Sequence, residues 1–582
     1  MKSAGWTLLV FSSLLLAGCT VGPNFKRPHA SVPSQWTVAS TRGISTKSPE
    51  TDDWWSSFQD PELNSLVERS AKQNLDLKLA LERVQEARAA RGVARSGYFP
   101  SIDGAASATR NRQRIIVPAG PQKSAVIVPI EYNNFQGGFA ASWELDVFGG
   151  IRRSVQAATA DMTAAEENRR DVLIILLGDV GRVYAQLRGF QRRLEIANKN
   201  IKTQQETLDL TSTRAKAGLA NELDVSRAAA QLESTKAVVP TLLSGIDVSI
   251  HRLSVLLAEE PGALRSELEK TNPIPSAGPE VDVGLPSDLL KRRPDIRRSE
   301  AQLAAATARI GEAKADLFPR FVLTGTAGRQ AAQLHDLTLG AGNFFSVGPG
   351  ISLPLFTGGR IRSNIAVQTS RQREAVIGYQ STVLNALEEV ENALVSYSQE
   401  QERRDRLNDA VAHSQLAVDL ATEQYKAGLV DFLSVLDAQR DLYANEDQLV
   451  QSQTSVTTNL VGLYRALGGG WNLGRTVATS KSTPERVSST AESPDQQKRQ
   501  EWIAALDKTE SLKPRAVIAG HKRPGNDDSP KIIEETRQYI RDFERLAMQT
   551  TTAQELYDQM LKLYPDWINR GALWTSVRAI KT

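Results

Sequence analysis

The sequence predicts a mainly α-helical protein with a small β part, built as two tandem copies of one unit. Three observations carry this. A short string ending in Gly-Leu occurs twice, as Ala215-Lys216-Ala217-Gly218-Leu219 and Tyr425-Lys426-Ala427-Gly428-Leu429, with the two glycines 210 residues apart. Long proline-free stretches surround both strings, from Ile130 to Val239 and from Leu355 to Thr483. Each copy also holds a segment in which apolar and polar residues alternate with period two, the mark of a strand with one buried face. A glycine between two helical stretches lets the chain take φ > 0 and reverse. Two such reversals at one spacing mark a duplicated supersecondary unit.

The duplication extends beyond the tips. Leu223 and Val225 match Leu433 and Val435, Phe148-Gly149-Gly150 matches Phe356 with Gly358-Gly359, and Tyr98-Phe99-Pro100 resembles Leu317-Phe318-Pro319. The copies span about residues 63–265 and 283–473. Each reads as a proline, a sheet-like segment, a Phe with a Gly pair, a long helix, a Gly tip and a helix back.

Composition narrows the class. A net charge of +3 on 582 residues gives no support to a nucleic-acid partner. Aromatic residues are 6% of the chain, and abundant Ala, Gln and Leu suit long helices better than a bulky globular core. Cys19 is the one cysteine, which excludes an intrachain disulfide and a cysteine-based metal site. Its position is informative. Lys2, an apolar run from Trp6 to Leu16, and then Leu16-Ala17-Gly18-Cys19 make residues 1–18 a signal peptide with small residues at the cut. No later stretch of about 18 apolar residues follows, so a membrane crossing by the mature chain requires a closed β-barrel.

The elements follow in order. Residues 19 to about 50, rich in Pro, Ser and Thr, form an extended lead. Asp53-Trp54-Trp55 and Asp60-Pro61-Glu62-Leu63 open a helix predicted to run to about Ser96, with Leu63, Leu66, Val67 and Leu75 as apolar positions and Pro100 ending it. Phe135, Gly137, Phe139, Ala141, Trp143, Leu145 and Val147 then alternate with Gln136, Ser142, Glu144 and Asp146; Phe345, Val347, Ile351, Leu353 and Leu355 do the same in the second copy. Partner strands are expected near Ser101–Thr109 and Arg320–Ala327. Four strands of roughly ten residues suit a membrane-spanning sheet. Four cannot close a barrel, but three chains supply twelve. The middle of the first hairpin, with Pro118, Pro121 and Pro129, is expected to be an external loop.

Leu176, Val180, Val183, Leu187, Phe190 and Leu194 alternate spacings of four and three, as do Val383, Leu387, Val390, Leu394 and Tyr397, while Leu442, Leu449, Val456 and Leu463 recur every seven. These are coiled-coil seams. About 65 residues from Gly150 to the first tip give roughly 100 Å of helix. Such hairpins have polar flanks and little core, so a tube of helices from several protomers is expected to bury the seams. Pro261 to Pro294, with Pro273, Pro275, Pro279 and Pro286, joins the copies as an irregular belt.

Specific strings now point to a family. They are Cys19-Thr20-Val21-Gly22-Pro23-Asn24-Phe25-Lys26-Arg27-Pro28, then Leu285-Pro286-Ser287-Asp288-Leu289-Leu290 running to Arg293-Pro294-Asp295-Ile296-Arg297, and Leu467-Gly468-Gly469-Gly470-Trp471. With the signal, the strand pairs and the tandem hairpins, residues 19–473 resemble the TolC-like outer-membrane efflux factors, in their lipoprotein (NodT-type) branch. The resemblance implies cleavage before Cys19, lipid on Cys19, and sorting to the outer membrane, which Thr20 after the cysteine permits. It implies a homotrimer with a twelve-stranded barrel on a twelve-helix periplasmic tunnel. It also implies work with an inner-membrane pump and a periplasmic adaptor to expel drugs or other small molecules; a channel for type I protein secretion is the alternative.

In the resemblance Leu433, Asp437 and Arg440 fall at constriction positions of a periplasmic gate, and Asp224 at a latch position in the first copy. Leu433 and Asp437 are four apart and share a helical face. Three copies would give an apolar plug and a carboxylate ring. Where related proteins place Arg two residues after the second tip glycine, this chain has Val430, followed by Asp431. Gly218, Leu219, Gly428 and Leu429 are the expected adaptor-contacting tips. No Walker-type phosphate loop is present, and a passive duct needs neither catalysis nor a cofactor.

After Trp471 the chain continues for 111 residues. Residues 474–495 read as linker and 496–582 as a helical tail. Ala519-Gly520-His521-Lys522-Arg523-Pro524-Gly525 and the helices after it resemble the C-terminal end of metallo-β-lactamase-fold hydrolases. The five histidines, His29, His251, His335, His413 and His521, form no His-x-His cluster. His521 is then a vestigial ligand at most, and a metal-dependent hydrolase is the alternative from another class.

Overall fold

A computed structural model describes residues 20–29, 32–37, 44–45, 47, 53–117, 126–278, 281–338 and 342–470, and within the tail 502–503, 506–507, 509–511, 514, 529–565, 573–574 and 577. The signal peptide, Cys19, Pro118, Pro121, the linker and His521 lie outside these residues. The chain divides into two compact units, Met1–Ser480 and Lys481–Thr582.

The first unit repeats its own dimensions. Helix α1 (Pro61–Gln73) leads into α2 (Leu75–Ser96), strands β1 (Ser101–Val117) and β2 (Val126–Leu145), α3 (Gly150–Lys216) and α4 (Glu222–Leu256). The second copy runs through α5 (Pro294–Ala315), β3 (Arg320–Ala331), β4 (Asn343–Ser352), α6 (Arg360–Lys426) and α7 (Phe432–Ala466). α2 and α5 have 22 residues each, α3 and α6 have 67 each, and α4 and α7 have 35 each. The belt carries short helices at Arg265–Leu268 and Leu289–Arg292, and Val281–Asp282 pairs in parallel with Ile44–Ser45.

The helix expected from residue 60 to Ser96 is two helices. Asn74, at ψ 135°, leaves the helical region, accepts a hydrogen bond from Leu77 N–H, and donates through Nδ2 to Leu256 O. Leu63, Leu66 and Val67 are buried before the break, whereas Leu75 after it is exposed. The return helix α4 passes through Pro240 without ending.

The sheet is antiparallel in the order β1-β2-β3-β4. Registered neighbours share a face. Gly104, Phe139, Ala327 and Phe345 form one row; Ile102, Ala141, Gly325 and Val347 form another on the same side. Asp103, Ala140, Thr326 and Ser346 form the row between them, on the other side. The period-two pattern is thus an apolar face and a polar face, and both stand exposed in one chain, with Phe345 at 83%. The first hairpin is longer than expected, with strands of 17 and 20 residues. Pro129 lies inside β2, opposite Arg114, and not in a loop. β3 pairs with β2 only from Phe135 to Leu145, so beyond that the ribbon has a free edge, where proline's missing N–H is tolerated.

The helices form a row at each of two levels. Nearer the sheet the neighbours are α2, α3, α5 and α6; nearer the tips they are α4, α3, α7 and α6. The predicted seams are buried at Leu176, Val180, Val183, Leu187, Val383, Val390, Leu394, Tyr397, Leu442 and Leu463, while Phe190, Leu194, Leu387, Leu449 and Val456 are only half-buried. A real core exists at the belt, contrary to the expectation of little core. Trp36, Trp54, Trp55, Phe58, Leu66, Leu177, Tyr184 and Leu253 belong to it, and Trp54 stacks on Tyr464 at 5.6 Å. Buried Arg188 ties the belt to α3 by donating to the carbonyls of Leu268 and Lys270.

In the second unit, α8 (Lys531–Gln549) and α9 (Ala553–Leu563) close a separate cluster of Phe543, Leu546, Leu556, Met560, Leu573 and Val577.

Candidate gate at the hairpin tips

Both tips close with the same hydrogen bonds. Gly218 N–H donates to Ala215 O and Leu219 N–H to Arg214 O at 2.8 Å; Gly428 N–H donates to Tyr425 O and Leu429 N–H to Gln424 O at 2.8 Å. A bond reaching five residues back requires a left-handed residue at the helix end. Gly218 and Gly428 supply it, each at φ +73°. No atom stands within 4 Å of where a Cβ would be, so conformation rather than crowding selects glycine. Each return helix is then capped. Asn221 Oδ1 accepts from Asp224 N–H at 2.9 Å, and Asp431 Oδ1 accepts from Ser434 N–H at 3.1 Å and from Ser434 Oγ at 2.7 Å. The hydroxyl and amide of Ser434 hold the Asp431 carboxyl below its ordinary pKa. Leu219 and Leu429 are exposed.

Beneath the tips the two hairpins are knotted together. Ala228, Tyr425, Phe432 and Val435 are buried as one cluster, separate from the belt core, and Val430 packs against it. Tyr425 and Phe432 meet edge to face at 5.7 Å. The Arg214 guanidinium lies 4.6 Å from the Tyr425 ring centre and donates to Tyr425 O at 3.3 Å, capping the C-terminal end of α6 from the other hairpin. Sequence reasoning missed Arg214 and Phe432. Their signal lay in the repeat itself. At the 210-residue spacing Arg214 faces Gln424, Ala215 faces Tyr425 and Glu222 faces Phe432. The copies diverge where one hairpin packs on the other.

Leu433, Asp437 and Arg440 share one face of α7, opposite the buried positions Phe432, Val435, Gln439 and Leu442. Asp437 and Arg440 pair at 3.1 Å within the helix, and Leu433 is 39% exposed. Asp224 stays on the first hairpin, 4.0 Å from Arg227, and is not brought to the Leu433 face by this chain alone. Higher up, the contact between hairpins is polar. Arg193 pairs with Asp447 at 2.6 Å, Lys199 and Asn200 both reach Glu446, and Gln439 donates to Thr207 Oγ1 at 2.9 Å. This arrangement offers an exposed leucine, a carboxylate and a polar seam. Among the described residues no group of three or more His, Cys, Asp or Glu is placed to hold a metal ion.

Comparison with known proteins agrees with this geometry. The family profile "Outer membrane efflux protein" matches residues 66–259 and 285–469. Nodulation protein T of Rhizobium leguminosarum bv. trifolii is 33% identical over 463 residues, covering 79% of this chain and 97% of the relative. The toluene efflux pump outer membrane protein TtgI of Pseudomonas putida is 32% identical over 475 residues, covering 80% and 98%. Among solved structures, the outer-membrane channel OprN superposes with a TM-score of 0.72 at 35% identity, covering 78% of this chain and all of that one. The open state of the MtrE outer membrane channel of Neisseria gonorrhoeae superposes with a TM-score of 0.66 at 27% identity, covering 78% and 99%. With a two-part profile match over most of its length and relatives spanned almost end to end, the chain belongs to the outer membrane efflux protein family.

Proposed function

We propose that three copies of this chain close into a passive outer-membrane duct, and that it exports drugs or other small molecules with a periplasmic adaptor and an inner-membrane pump. One observation carries the reading: both layers are open at both edges. The sheet ends at β1 and β4 with unpaired strand edges, which hydrocarbon does not tolerate. The helix row ends at α6 on one side and at α2 and α4 on the other. Those end helices expose apolar residues, Ile377, Leu384 and Leu416 on α6, Val93 on α2 and Val248 on α4. Joining unlike edges by a rotation that closes after three steps gives twelve strands and twelve helices, and buries these residues. The polar sheet face then lines the pore and the apolar face meets lipid.

In this reading Leu433 and Asp437 of three copies converge as the periplasmic constriction, Arg440 and Asp224 latch it, and Gly218, Leu219, Gly428 and Leu429 meet the adaptor. Cys19 carries the lipid anchor. The toluene pump relative supports small-molecule cargo over secreted protein. The tail, which lies beyond the matched residues, is read as a folded helical appendage resembling the end of a metallo-β-lactamase-fold hydrolase, without a catalytic role; its own apolar cluster supports a folded state. The test is complementation: expressed in a strain lacking its own outer-membrane efflux channel, the chain restores tolerance to a solvent or drug, and a chain with bulky substitutions at Leu219 and Leu429 does not. Unchanged tolerance with both tips blocked overturns the tip assignment.

A further inference from the structure

The lead that follows Cys19 is gripped where the sheet passes into the helices. Val21 N–H donates to Phe148 O at 3.1 Å, just after β2 and before α3. Arg153, on the first turn of α3, is 3% exposed. Its Nε donates to Val21 O at 3.1 Å, and one terminal nitrogen donates to Gly22 O at 3.2 Å and Asn24 Oδ1 at 2.9 Å. The other terminal nitrogen reaches Gln156 Oε1 at 3.0 Å. Burial pulls this guanidinium below its ordinary pKa, and its partners are neutral oxygens, three of the four from the lead.

The backbone is shaped to let the lead in. Gly22 sits at φ +92°, and a Cβ there would run into the Gly311 backbone of α5. A Cβ on Gly311 would in turn run into the Arg153 side chain. From Gly22 the lead runs to Arg27, which makes a two-pronged bond to Glu300 at 2.5 and 2.7 Å. Gly311 to Glu300 is roughly 16 Å of helix. Gly22 to Arg27 is at most about 17 Å of extended chain. The lead is therefore held at two points along α5, at Gly22 by backbone packing and at Arg27 through its side chain. Phe99, Leu355 and Phe356 are exposed apolar residues at the same end of the sheet, where the proposed duct would meet lipid.

We propose that Arg153 is the positioning residue of the membrane anchor: it grips the chain immediately after Cys19 and holds the lipid-bearing residue at the height where the sheet gives way to the helices. This rests on Cys19 being lipidated. A free lead would let the acyl chains wander along the outer surface; a lead gripped at Val21 and Gly22 sets them beside the barrel wall.

The test uses full-length protein purified from outer membranes, as wild type, Arg153→Gln, Arg153→Lys and Gly22→Ala. Intact mass reports the acyl chains, and trypsin reports release of the lead by cutting after Lys26. The expected result is retained lipid in all four, with cutting at least tenfold faster in Arg153→Gln and Gly22→Ala and a partial return toward wild type in Arg153→Lys. Should Arg153→Gln yield no assembled protein, Gly22→Ala decides, because it disturbs the lead and leaves the guanidinium in place. Equal cutting rates with lipid present overturn the grip. A wild-type mass without acyl chains overturns the anchor reading instead, whatever the cutting rates.

Discussion

Phe432→Ala is the substitution that most sharply tests how the tips are held. Phe432 is 1% exposed, packs edge to face on Tyr425, and belongs to a cluster separate from the belt core. Emptying a buried Phe site costs about 3–5 kcal/mol. The cluster is small and near a chain reversal, where surroundings collapse easily, so the lower value of about 3 kcal/mol applies. A separable cluster opens as its own unit, so that loss should appear locally. At 1.4 kcal/mol per tenfold, about 3 kcal/mol is a rise of roughly 100-fold in the open population of the tip. Hydrogen exchange followed by mass spectrometry reads it directly. Amides in the first turns of α7 and the last turns of α6 should exchange roughly 100-fold faster, while those around Leu177 and Leu463 in the belt core keep their protection. An unchanged tip, or faster exchange spread evenly over the whole first unit, would refute the idea that the tips are clamped by a local knot.

Other consequences follow from the same geometry. Gly218→Ala and Gly428→Ala should each cost roughly 1–2 kcal/mol from left-handed strain alone, with no clash, and the double variant should depart from the sum because Arg214 and Tyr425, whose carbonyls close the two turns, touch each other; tip-directed proteolysis measures this. Asp437→Asn should weaken block of reconstituted pores by multivalent cations at least tenfold, whereas Asp431→Asn, which keeps a capping acceptor at the helix start, should leave block unchanged. Glu62 is pushed up to about 7 by burial and by the neighbouring Glu267 carboxyl. An acid raised above its ordinary range favours the folded state when protonated, so this contribution is fully present below about pH 4.5 and is lost as pH rises through about 7. Glu62→Gln should therefore raise the melting temperature at pH 8 and leave it unchanged near pH 4.5. Solvent screening of this half-exposed pair keeps the gain to about 1 kcal/mol or less.

Much of the fold was legible because repetition and periodicity are local signals. The 210-residue spacing of the tips located both reversals, and period two located the apolar sheet face at Phe139 and Phe345. What failed depended on single residues acting through distant partners. Asn74 breaks the single helix that the apolar positions Leu63 and Leu75 predict, because its amide is satisfied by Leu256 across the core. Pro129 looked like a loop residue until the register showed that its strand has no second neighbour there. At the candidate site, the shared face of Leu433 and Asp437 was readable from spacing. Arg214 was not, since its role is to cap carbonyls of another hairpin, more than 200 residues away. The grip of Arg153 on Val21 and Gly22 likewise joins segments that no local pattern connects.

The central claim is that one chain leaves its sheet and helix-row edges unfinished and that copies of itself complete them. Native mass spectrometry of the detergent-extracted complex tests this most directly. A mass of three chains is the predicted result, and a complex that remains a single chain, or stops at two, would contradict it.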